Sequence, residues 1–182
     1  MSPLFQSVPS PHPTLLPVEQ LMQRLDQRFQ KRGGPGGQHR NKVSTAAILV
    51  DGETGLVAEA NESRSQRSNR SIACQRMRNQ MATRLRTPSP LSQETPRLDP
   101  LEWAARDRLK KLRFKISQRN HDFAIAVACI LNDFVAAEGS IAEVAEFWRV
   151  SNNRLLEPLR QHRPALEILQ EYRQQNGLHP LR

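Results

Sequence analysis

Apolar residues recur along the first half of the chain with two periods, and each period predicts a different element. From Val18 to Leu25 they recur every three to four residues, which is typical of a short amphipathic helix. Residues 26–32 then either end that helix or form an extended segment. Two β-rich runs follow at 44–51 and 56–61, and the Gly-containing residues between them predict a β-hairpin.

A longer helix is predicted over residues 65–86, which contain neither Gly nor Pro. Its apolar residues recur every four positions and form one stripe of Ala73, Met77, Met81 and Leu85. Arginines occupy most of the remaining positions. The hairpin and the helix together predict an α+β fold, in which a β-hairpin or short sheet is packed by a basic helix.

The second half of the chain has the pattern of a small all-α domain. A basic stretch at 101–115 is compatible with a helix, and a strongly apolar helix is predicted over 123–137. Ser140 begins a capping-box pattern, and Ser151 is the predicted cap of another short helix. A last helix is predicted over 165–175.

Changes in composition set the predicted domain boundaries. Residues 1–16 are rich in Pro and Ser, lack periodicity and predict a disordered tail. The small α+β domain then spans 17–86. Residues 87–100 contain four prolines and predict a linker, and the helical C-terminal domain spans 101–182.

The net charge of +9 is concentrated in the first half of the chain. Residues 24–86 carry thirteen Lys/Arg and five Asp/Glu, whereas residues 101–182 carry thirteen and ten. Such a basic excess favours a polyanionic partner, nucleic acid or a membrane surface, over a neutral metabolite.

The remaining compositional signals point to a soluble cytoplasmic protein. No stretch has the pattern of a signal peptide, and the longest apolar run, residues 123–131, is too short to cross a bilayer. Cys74 and Cys129 are the two cysteines, and we expect both to be buried, reduced thiols. No membrane partner is expected.

A glycine-rich basic stretch, RGGPGGQHRNKV at residues 32–43, precedes the hairpin and is the candidate site of chemistry. Glycines let the backbone adopt positive φ and approach another molecule closely. Pro35 stiffens the approach to the following residues by fixing its own φ. Taken alone, the stretch favours a flexible RNA-binding turn without chemistry.

The wider pattern resembles the catalytic domain of bacterial class I peptide chain release factors, which the ribosome-rescue peptidyl-tRNA hydrolases share. The likeness extends from about Arg24 to Arg86. It rests on a Gly-Gly-Gln triplet, the residues after it, a Thr-Gly turn and the start of the basic helix: Gly36, Gly37, Gln38, Asn41, Lys42, Thr54, Gly55, Arg64, Ser65, Gln66 and Asn69.

The resemblance implies hydrolysis of the peptidyl-tRNA ester in the peptidyl-transferase centre, with Gly36, Gly37 and Gln38 as the catalytic residues. The backbone N–H of Gln38 would donate to the oxyanion, and its side chain would help to select water as the nucleophile. The resemblance also makes Gln38 a candidate for N-methylation. No general base, metal or cofactor is expected, because no Ser-His-Asp, paired-carboxylate or metal-ligand pattern occurs.

Basic and polar residues near the triplet and at the start of the basic helix are predicted to contact rRNA or tRNA phosphates. A solvated basic face is the alternative for the arginines, and the two interpretations are compatible. For His39, a role in shaping the loop is favoured over catalysis. The predicted RNA-binding residues are Lys31, Arg32, His39, Arg40, Asn41, Lys42, Arg64, Gln66, Arg67, Asn69 and Arg70.

Two functions of different classes remain open. The first is a ribosome-dependent, codon-independent peptidyl-tRNA hydrolase, a monomer whose partners are large-subunit rRNA and peptidyl-tRNA. Codon independence is expected because no separate codon-recognition domain fits in the chain. The second is a non-catalytic RNA- or ribosome-binding regulatory factor with the same fold. The intact triplet favours the first.

Residues 140–160 have the pattern of a helix-turn-helix segment. If they form one, three residues would face nucleic acid: Asn152, Asn153 and Arg154. Two departures weaken this interpretation. Arg149 occupies the turn position where Gly is usual, and Pro158 is expected to cut the second helix short. We therefore favour a small docking bundle over DNA binding.

Overall fold

The computed structural model describes residues 4–30, 46–92 and 98–181. The protein has the predicted α+β fold, and its chain divides into two compact units. Residues Leu16–Met81 form one, here called the sheet unit. Residues Met1–Leu15 and Ala82–Arg182 together form the other, here called the helical unit.

Seven α-helices, five strands and one 3-10 turn make up the described parts of the chain. In chain order they are β1 (Gln6–Ser7), the 3-10 turn (Pro13–Leu15), α1 (Val18–Arg24), β2 (Leu25–Gln30), β3 (Ala46–Asp51), β4 (Val57–Ala60), α2 (Gln66–Arg84), β5 (Leu85–Arg86), α3 (Pro100–Leu112), α4 (Phe123–Ala136), α5 (Ile141–Trp148), α6 (Asn152–Gln161) and α7 (Arg163–Gln175). None of these helices is both long and apolar enough to cross a bilayer.

The sheet unit contains a three-stranded antiparallel sheet in the order β2–β3–β4. β2 pairs with β3 over six residue pairs, from Leu25 opposite Asp51 to Gln30 opposite Ala46. The predicted hairpin of β3 and β4 is confirmed. β2 adds a third strand, so the extended alternative for the residues after α1 is the correct one.

Burial in the sheet unit follows the two predicted periods. Along β3, Ala47 and Leu49 alternate with less buried neighbours and are fully buried. Along α2, the predicted stripe of Ala73, Met77 and Met81 is also fully buried. The apolar core therefore forms from period-two positions on the strands and period-four positions on the helix.

Asp51 connects α1 to the β3–β4 turn. Its carboxylate, which is fully buried, accepts hydrogen bonds from Arg24 Nε at 2.8 Å and Arg24 Nη2 at 2.7 Å, and another from the Thr54 hydroxyl. Gly55 closes the turn at a φ of +73° and donates its N–H to the Asp51 carbonyl at 2.8 Å. Burial raises the pKa of Asp51, but the hydrogen bonds from Arg24 and Thr54 outweigh it, so the pKa lies below its ordinary value.

The helical unit is built around α4, which is buried along most of its length. The hydroxyl of Ser140 accepts a hydrogen bond from Glu143 N, and that of Ser151 accepts one from Arg154 N, each at 3.3 Å. Both predicted caps are therefore confirmed. α3 begins in the same way, because the Asp99 carboxylate accepts from Leu101 N at 2.8 Å.

The expectation that Pro158 cuts the second helix short is wrong. Pro158 lies inside α6, is buried, and is followed by three further helical residues. Proline removes one backbone donor from the helix, and here its apolar ring belongs to the buried face. Arg149 forms the turn before α6 with a φ of +53°, a left-handed conformation that Gly more often adopts.

The structure differs from the predicted disordered tail over residues 1–16, because residues 4–15 are packed in the helical unit. β1 pairs in parallel with β5, with Gln6 opposite Leu85. The buried His12 donates its backbone N–H to Glu102 Oε1 at 2.9 Å, and its Nε2 lies 3.2 Å from the Leu85 carbonyl oxygen. These contacts use backbone and polar atoms, so they leave no apolar periodicity in the sequence.

The predicted linker over 87–100 is also partly packed. Thr87 and Ser89 are buried, and Pro100 is the first residue of α3. Prolines in this stretch follow the end of one helix and begin the next. Only residues 93–97 of the predicted linker lie outside the described parts of the chain.

Arg86 is a buried cation whose hydrogen-bond acceptors among the described residues are carbonyl and side-chain amide oxygens. Its guanidinium donates to the carbonyls of Ala82 at 2.6 Å and Thr83 at 2.7 Å, and to Asn132 Oδ1 at 3.1 Å. It also lies 4.6 Å from the centre of the Phe5 ring. Burial lowers the pKa of Arg86 to about 9, so the group stays protonated at neutral pH. Residues 4–15 thus help to enclose a charge.

Asp133 on α4 is the centre of a buried polar cluster. Its carboxylate accepts hydrogen bonds from Arg106 at 2.8 and 2.7 Å, from the Ser89 hydroxyl at 2.7 Å and from Trp148 Nε1 at 2.7 Å. Burial lowers the pKa of Arg106, but the Asp133 carboxylate outweighs it, so the pKa is raised. One carboxylate therefore joins α3, α4, α5 and the segment after β5.

The lowered pKa of Asp51 predicts an acid-sensitive sheet unit. The ionised carboxylate of Asp51 stabilises the folded state at pH values above its unfolded pKa of about 4. This stabilisation is lost as the pH falls through the lower pKa that the carboxylate has in the folded state. Asp51→Asn should lower the unfolding free energy by about 2–3 kcal/mol at pH 7 and flatten its fall towards pH 3. Urea unfolding followed by the amide NMR signals of β3 and β4 measures this. Equal pH dependence in both proteins would contradict it.

Asp133 should be among the most sensitive positions of the helical unit. Asp133→Asn removes the carboxylate that binds the buried Arg106 through two hydrogen bonds and should destabilise the unit by about 3–5 kcal/mol. Ser89→Ala, which removes one neutral donor from the same carboxylate, should cost about 1 kcal/mol. Chemical denaturation followed by Trp fluorescence compares them. A similar decrease in unfolding free energy in the two variants would show that the Arg106–Asp133 ion pair is not the dominant contact of the cluster.

Candidate functional site

The glycine-rich stretch connects two positions that are fixed next to each other. Gln30 ends β2, Ala46 begins β3, and the two residues are partners in the antiparallel register. Cα atoms of such partners lie about 4.5–5.5 Å apart. Residues 31–45 themselves lie outside the described residues. The chain therefore leaves the sheet and returns to it at one end, between two adjacent strands.

Nine of the predicted site residues fall within this stretch, and their roles stay predictions. They are Lys31, Arg32, Gly36, Gly37, Gln38, His39, Arg40, Asn41 and Lys42.

The segment before α2 starts from the same end of the sheet. β4 ends at Ala60, whose register partner is Ala47, the neighbour of Ala46 in β3. The chain then passes through residues 61–65 into α2. Sheet topology thus brings the start of the basic helix to the end of the sheet from which the glycine-rich stretch departs.

Asn69 holds this segment in place, which corrects its predicted role in RNA binding. The residue is fully buried. Its Oδ1 accepts from Ser63 N and its Nδ2 donates to Ser63 O, both at 2.8 Å. One amide side chain therefore satisfies both backbone groups of Ser63. The hydroxyl of Ser65 caps the helix by accepting from Ser68 N at 3.2 Å.

Arg64, Gln66 and Arg67 are exposed on this fixed segment, as a phosphate-binding surface requires. Arg64 and Arg67 have no acidic partner among the residues that the structure describes. Arg70 is exposed as well, but its Nε donates to Gln27 Oε1 on β2 at 2.8 Å. Arg70 thus links α2 to the sheet, and its predicted role in RNA binding stays a prediction.

Two further arginines of α2 stabilise the sheet unit. Arg76 donates to the Glu59 carbonyl at 2.6 Å and pairs with Glu62. Arg78 is buried and donates to the Leu16 carbonyl at 2.5 Å. The basic face predicted from the sequence is therefore divided between exposed charge at the start of the helix and structural charge further along.

The helix-turn-helix-like residues are less suited to nucleic acid. Asn152 and Asn153 are exposed at the start of α6, but Arg154 is half-buried and pairs with Glu157. Residues 122–181 carry five Lys/Arg and eight Asp/Glu. Because nucleic-acid surfaces concentrate positive charge, this balance does not favour a DNA-binding role for the segment.

Comparisons with known proteins connect these observations to one family. The family model described as "RF-1 domain" matches residues 18–122, which include α1, the three-stranded sheet, α2 and α3. No solved structure matches the chain.

Several curated proteins share shorter regions with this chain. The "Mitochondrial translation release factor in rescue" of Mus musculus is 39% identical over 62 residues, 34% of this chain and 33% of that protein. "Peptide chain release factor 2" of Acidovorax sp. (strain JS42) is 43% identical over 51 residues, 28% of this chain and 14% of that protein. "Peptide chain release factor 1" of Leuconostoc citreum (strain KM20) is 47% identical over 49 residues, 27% of this chain and 14% of that protein.

The chain thus spans about a third or less of the length of these relatives, and each match is local. The family assignment has a wider basis, since the matched residues 18–122 are more than half of the 182-residue chain. The chain therefore belongs to the RF-1 domain family.

Proposed function

We propose that this protein is a ribosome-dependent, codon-independent peptidyl-tRNA hydrolase that frees nascent chains from stalled ribosomes. The observation that carries the proposal is the position of Gly36, Gly37 and Gln38. They lie within the region matched by the RF-1 domain model, in the stretch that joins the paired residues Gln30 and Ala46. Relatives named as release factors, one of them "in rescue", support the same role.

The proposed reaction is the hydrolysis of an ester. Water adds to the ester carbonyl, the bond to the 3′-oxygen of the tRNA breaks, and that oxygen takes up a proton from the attacking water. The products are a free peptide acid and tRNA. The backbone N–H of Gln38 stabilises the oxyanion, and the Gln38 side chain favours water over other nucleophiles. The preceding glycines keep Cβ atoms away from the surrounding RNA.

The described residues contribute binding and orientation. Arg64 and Arg67 lie on the segment fixed by Asn69, at the start of the helix whose chain leaves the same end of the sheet. Contacts from these arginines to rRNA phosphates would hold the sheet unit in one orientation while leaving the sequence of the RNA unread. The proposed partners are accordingly large-subunit rRNA and peptidyl-tRNA, in the cytoplasm.

A binding factor without turnover is the second candidate, and the exposed arginines would serve it equally well. The two functions differ in what they require of the triplet. Hydrolysis requires a glycine at position 37 and the N–H of Gln38, whereas phosphate binding requires only charge. Substitutions in the triplet therefore separate the two functions, and substitutions of the arginines do not.

Release of labelled peptide from loaded ribosomes tests hydrolysis. The complexes carry peptidyl-tRNA on truncated, sense-codon or stop-codon messages, or on free large subunits. The wild-type protein should release peptide from at least one complex without regard to the codon. Gly37→Ala should slow release by about 10²–10³-fold, because it disturbs a donor to the oxyanion, and should leave ribosome affinity nearly unchanged. Gln38→Ala keeps the backbone N–H at position 38. It should therefore lower the rate of peptide release less than it weakens the preference for water over other nucleophiles.

The outcome against hydrolysis is equally specific. Measurable ribosome binding by the wild-type protein, with no release from any of the four complexes, would overturn the enzymatic proposal and leave the binding factor. Equal release by the wild-type protein and Gly37→Ala would remove the triplet from the mechanism.

The arginines at the start of α2 should determine part of the salt dependence of ribosome binding. Arg64→Gln with Arg67→Gln should reduce the slope of log affinity against log salt by about 1.5, since each phosphate contact contributes roughly 0.7–0.9. The matched control is Arg149→Gln with Arg163→Gln, which removes two exposed arginines of the helical unit. Binding titrations over a series of KCl concentrations measure both. Equal slopes in the two double variants would contradict the assignment.

A further inference from the structure

Positive charge in the helical unit is concentrated in one short segment. Residues 108–119 carry six Lys/Arg and no Asp/Glu, whereas residues 122–181 carry five and eight. The segment covers the end of α3 and the turn that leads towards α4. The positive charge is thus localised, since the helical unit as a whole carries sixteen Lys/Arg and twelve Asp/Glu.

Two of the six cations are engaged within the protein. Arg108 forms an ion pair with Asp122 at 2.9 Å. Lys110 places its ammonium 5.1 Å from the centre of the Phe147 ring. The other four are exposed, and they define what we call the α3 turn: Lys111, Arg113, Lys115 and Arg119.

The backbone of the α3 turn alternates between inward and outward side chains. Arg113 and Phe114 are consecutive non-glycine residues with φ of +47° and +55°, a conformation unfavourable for residues that carry a Cβ. Phe114 is fully buried and packs edge-on against Trp148, with ring centres 4.8 Å apart. Ile116 is buried as well. Buried aromatic and aliphatic contacts therefore hold a left-handed turn that directs Arg113 and Lys115 outward.

Hydrogen bonds to α6 fix the turn further. Gln161 Nε2 donates to the Ile116 carbonyl at 3.1 Å, and the Gln118 side-chain amide donates to the Gln161 carbonyl. The cations thus extend from a backbone that is anchored on both its apolar and its polar side. An anchored array loses less conformational entropy on binding than the same charges on a free segment.

We propose that the α3 turn is a second RNA-binding surface, which binds the phosphate backbone. This goes beyond the hydrolysis proposed above and does not depend on it. The charge complements a polyanion, and the planar guanidinium of Arg113 can bind phosphate oxygens through two parallel hydrogen bonds. Protein interfaces are built on an apolar or aromatic centre, whereas in this segment the one exposed apolar side chain, Leu112, is outnumbered by the four cations of the α3 turn. RNA phosphate is therefore the favoured occupant.

The test uses the full chain and a duplex RNA as the probe. The turn variant combines Lys111→Gln, Arg113→Gln and Lys115→Gln. Its matched control, Arg149→Gln with Arg160→Gln and Arg163→Gln, removes the same charge from the same unit. Fluorescence anisotropy over a series of KCl concentrations should give a salt slope lower by about 2–3 in the turn variant, and by less than about 0.5 in the control. Equal slopes in the two variants would overturn the proposal.

A second variant keeps the test valid if the triple substitution disturbs folding. Arg113→Gly removes one cation and suits the left-handed φ, so thermal stability should be maintained while RNA affinity and slope fall. Unchanged RNA binding by this variant and a folded triple variant would also overturn the proposal. The proposal would also be overturned if the turn variants lost binding to phosphatidylserine vesicles and kept the wild-type affinity for RNA. That result would assign the turn to a membrane surface. If the wild-type protein released no peptide but the turn variant still had a lower salt slope than its control, hydrolysis alone would be contradicted, so failure of hydrolysis and failure of this surface are separate results.

Discussion

The antiparallel pairing of β2 with β3 is the constraint on which the proposed site depends. It brings Gln30 and Ala46 together, so the intervening residues must leave and return at one end of the sheet. At the opposite end, the Arg24–Asp51 ion pair holds α1 to the strand turn. A register shift of one residue would break that ion pair's geometry and turn Leu49 to the other face of the sheet. The ion pair and the buried face therefore help to fix where the glycine-rich stretch begins and ends.

Arginines have two distinct roles in each unit. Arg24 and Arg106 each meet a fully buried carboxylate through two hydrogen bonds, and each pair joins segments that are distant in sequence. In such a pair, each side chain neutralises the buried charge of the other and satisfies its hydrogen bonds. Loss of one partner destabilises the fold because the other is left as an unpaired buried charge. Exposed cations, such as those of the α3 turn, extend from segments that buried contacts hold in place. Net charge alone does not distinguish the two roles, and the hydrogen-bond partners do.

The sequence predicts the local features of this fold and misses the long-range polar ones. The stripe of α2 and the caps at Ser140 and Ser151 follow from residues a few positions apart, so a single sequence contains them. The contact between His12 and Glu102 joins polar atoms ninety residues apart and leaves no periodic signal. Asn69 was predicted to bind RNA from its place in the family-like spacing, yet its buried amide bonds to both backbone groups of Ser63. For the site, the glycine triplet stays a prediction from the sequence, and the structure adds the pairing of the two strands that the glycine-rich stretch joins.

The interleaved chain path has a consequence for synthesis. The sheet unit is continuous in sequence, whereas the helical unit includes both residues before it and residues after it. β1 pairs with β5 almost eighty residues later, so the first strand leaves the ribosome long before its partner exists. Every residue of the sheet unit is synthesised before α3 and the later helices of the helical unit. The helical unit must wait for α4 and the helices after it, and during that interval its opening segment is a peptide open to chaperones and proteases.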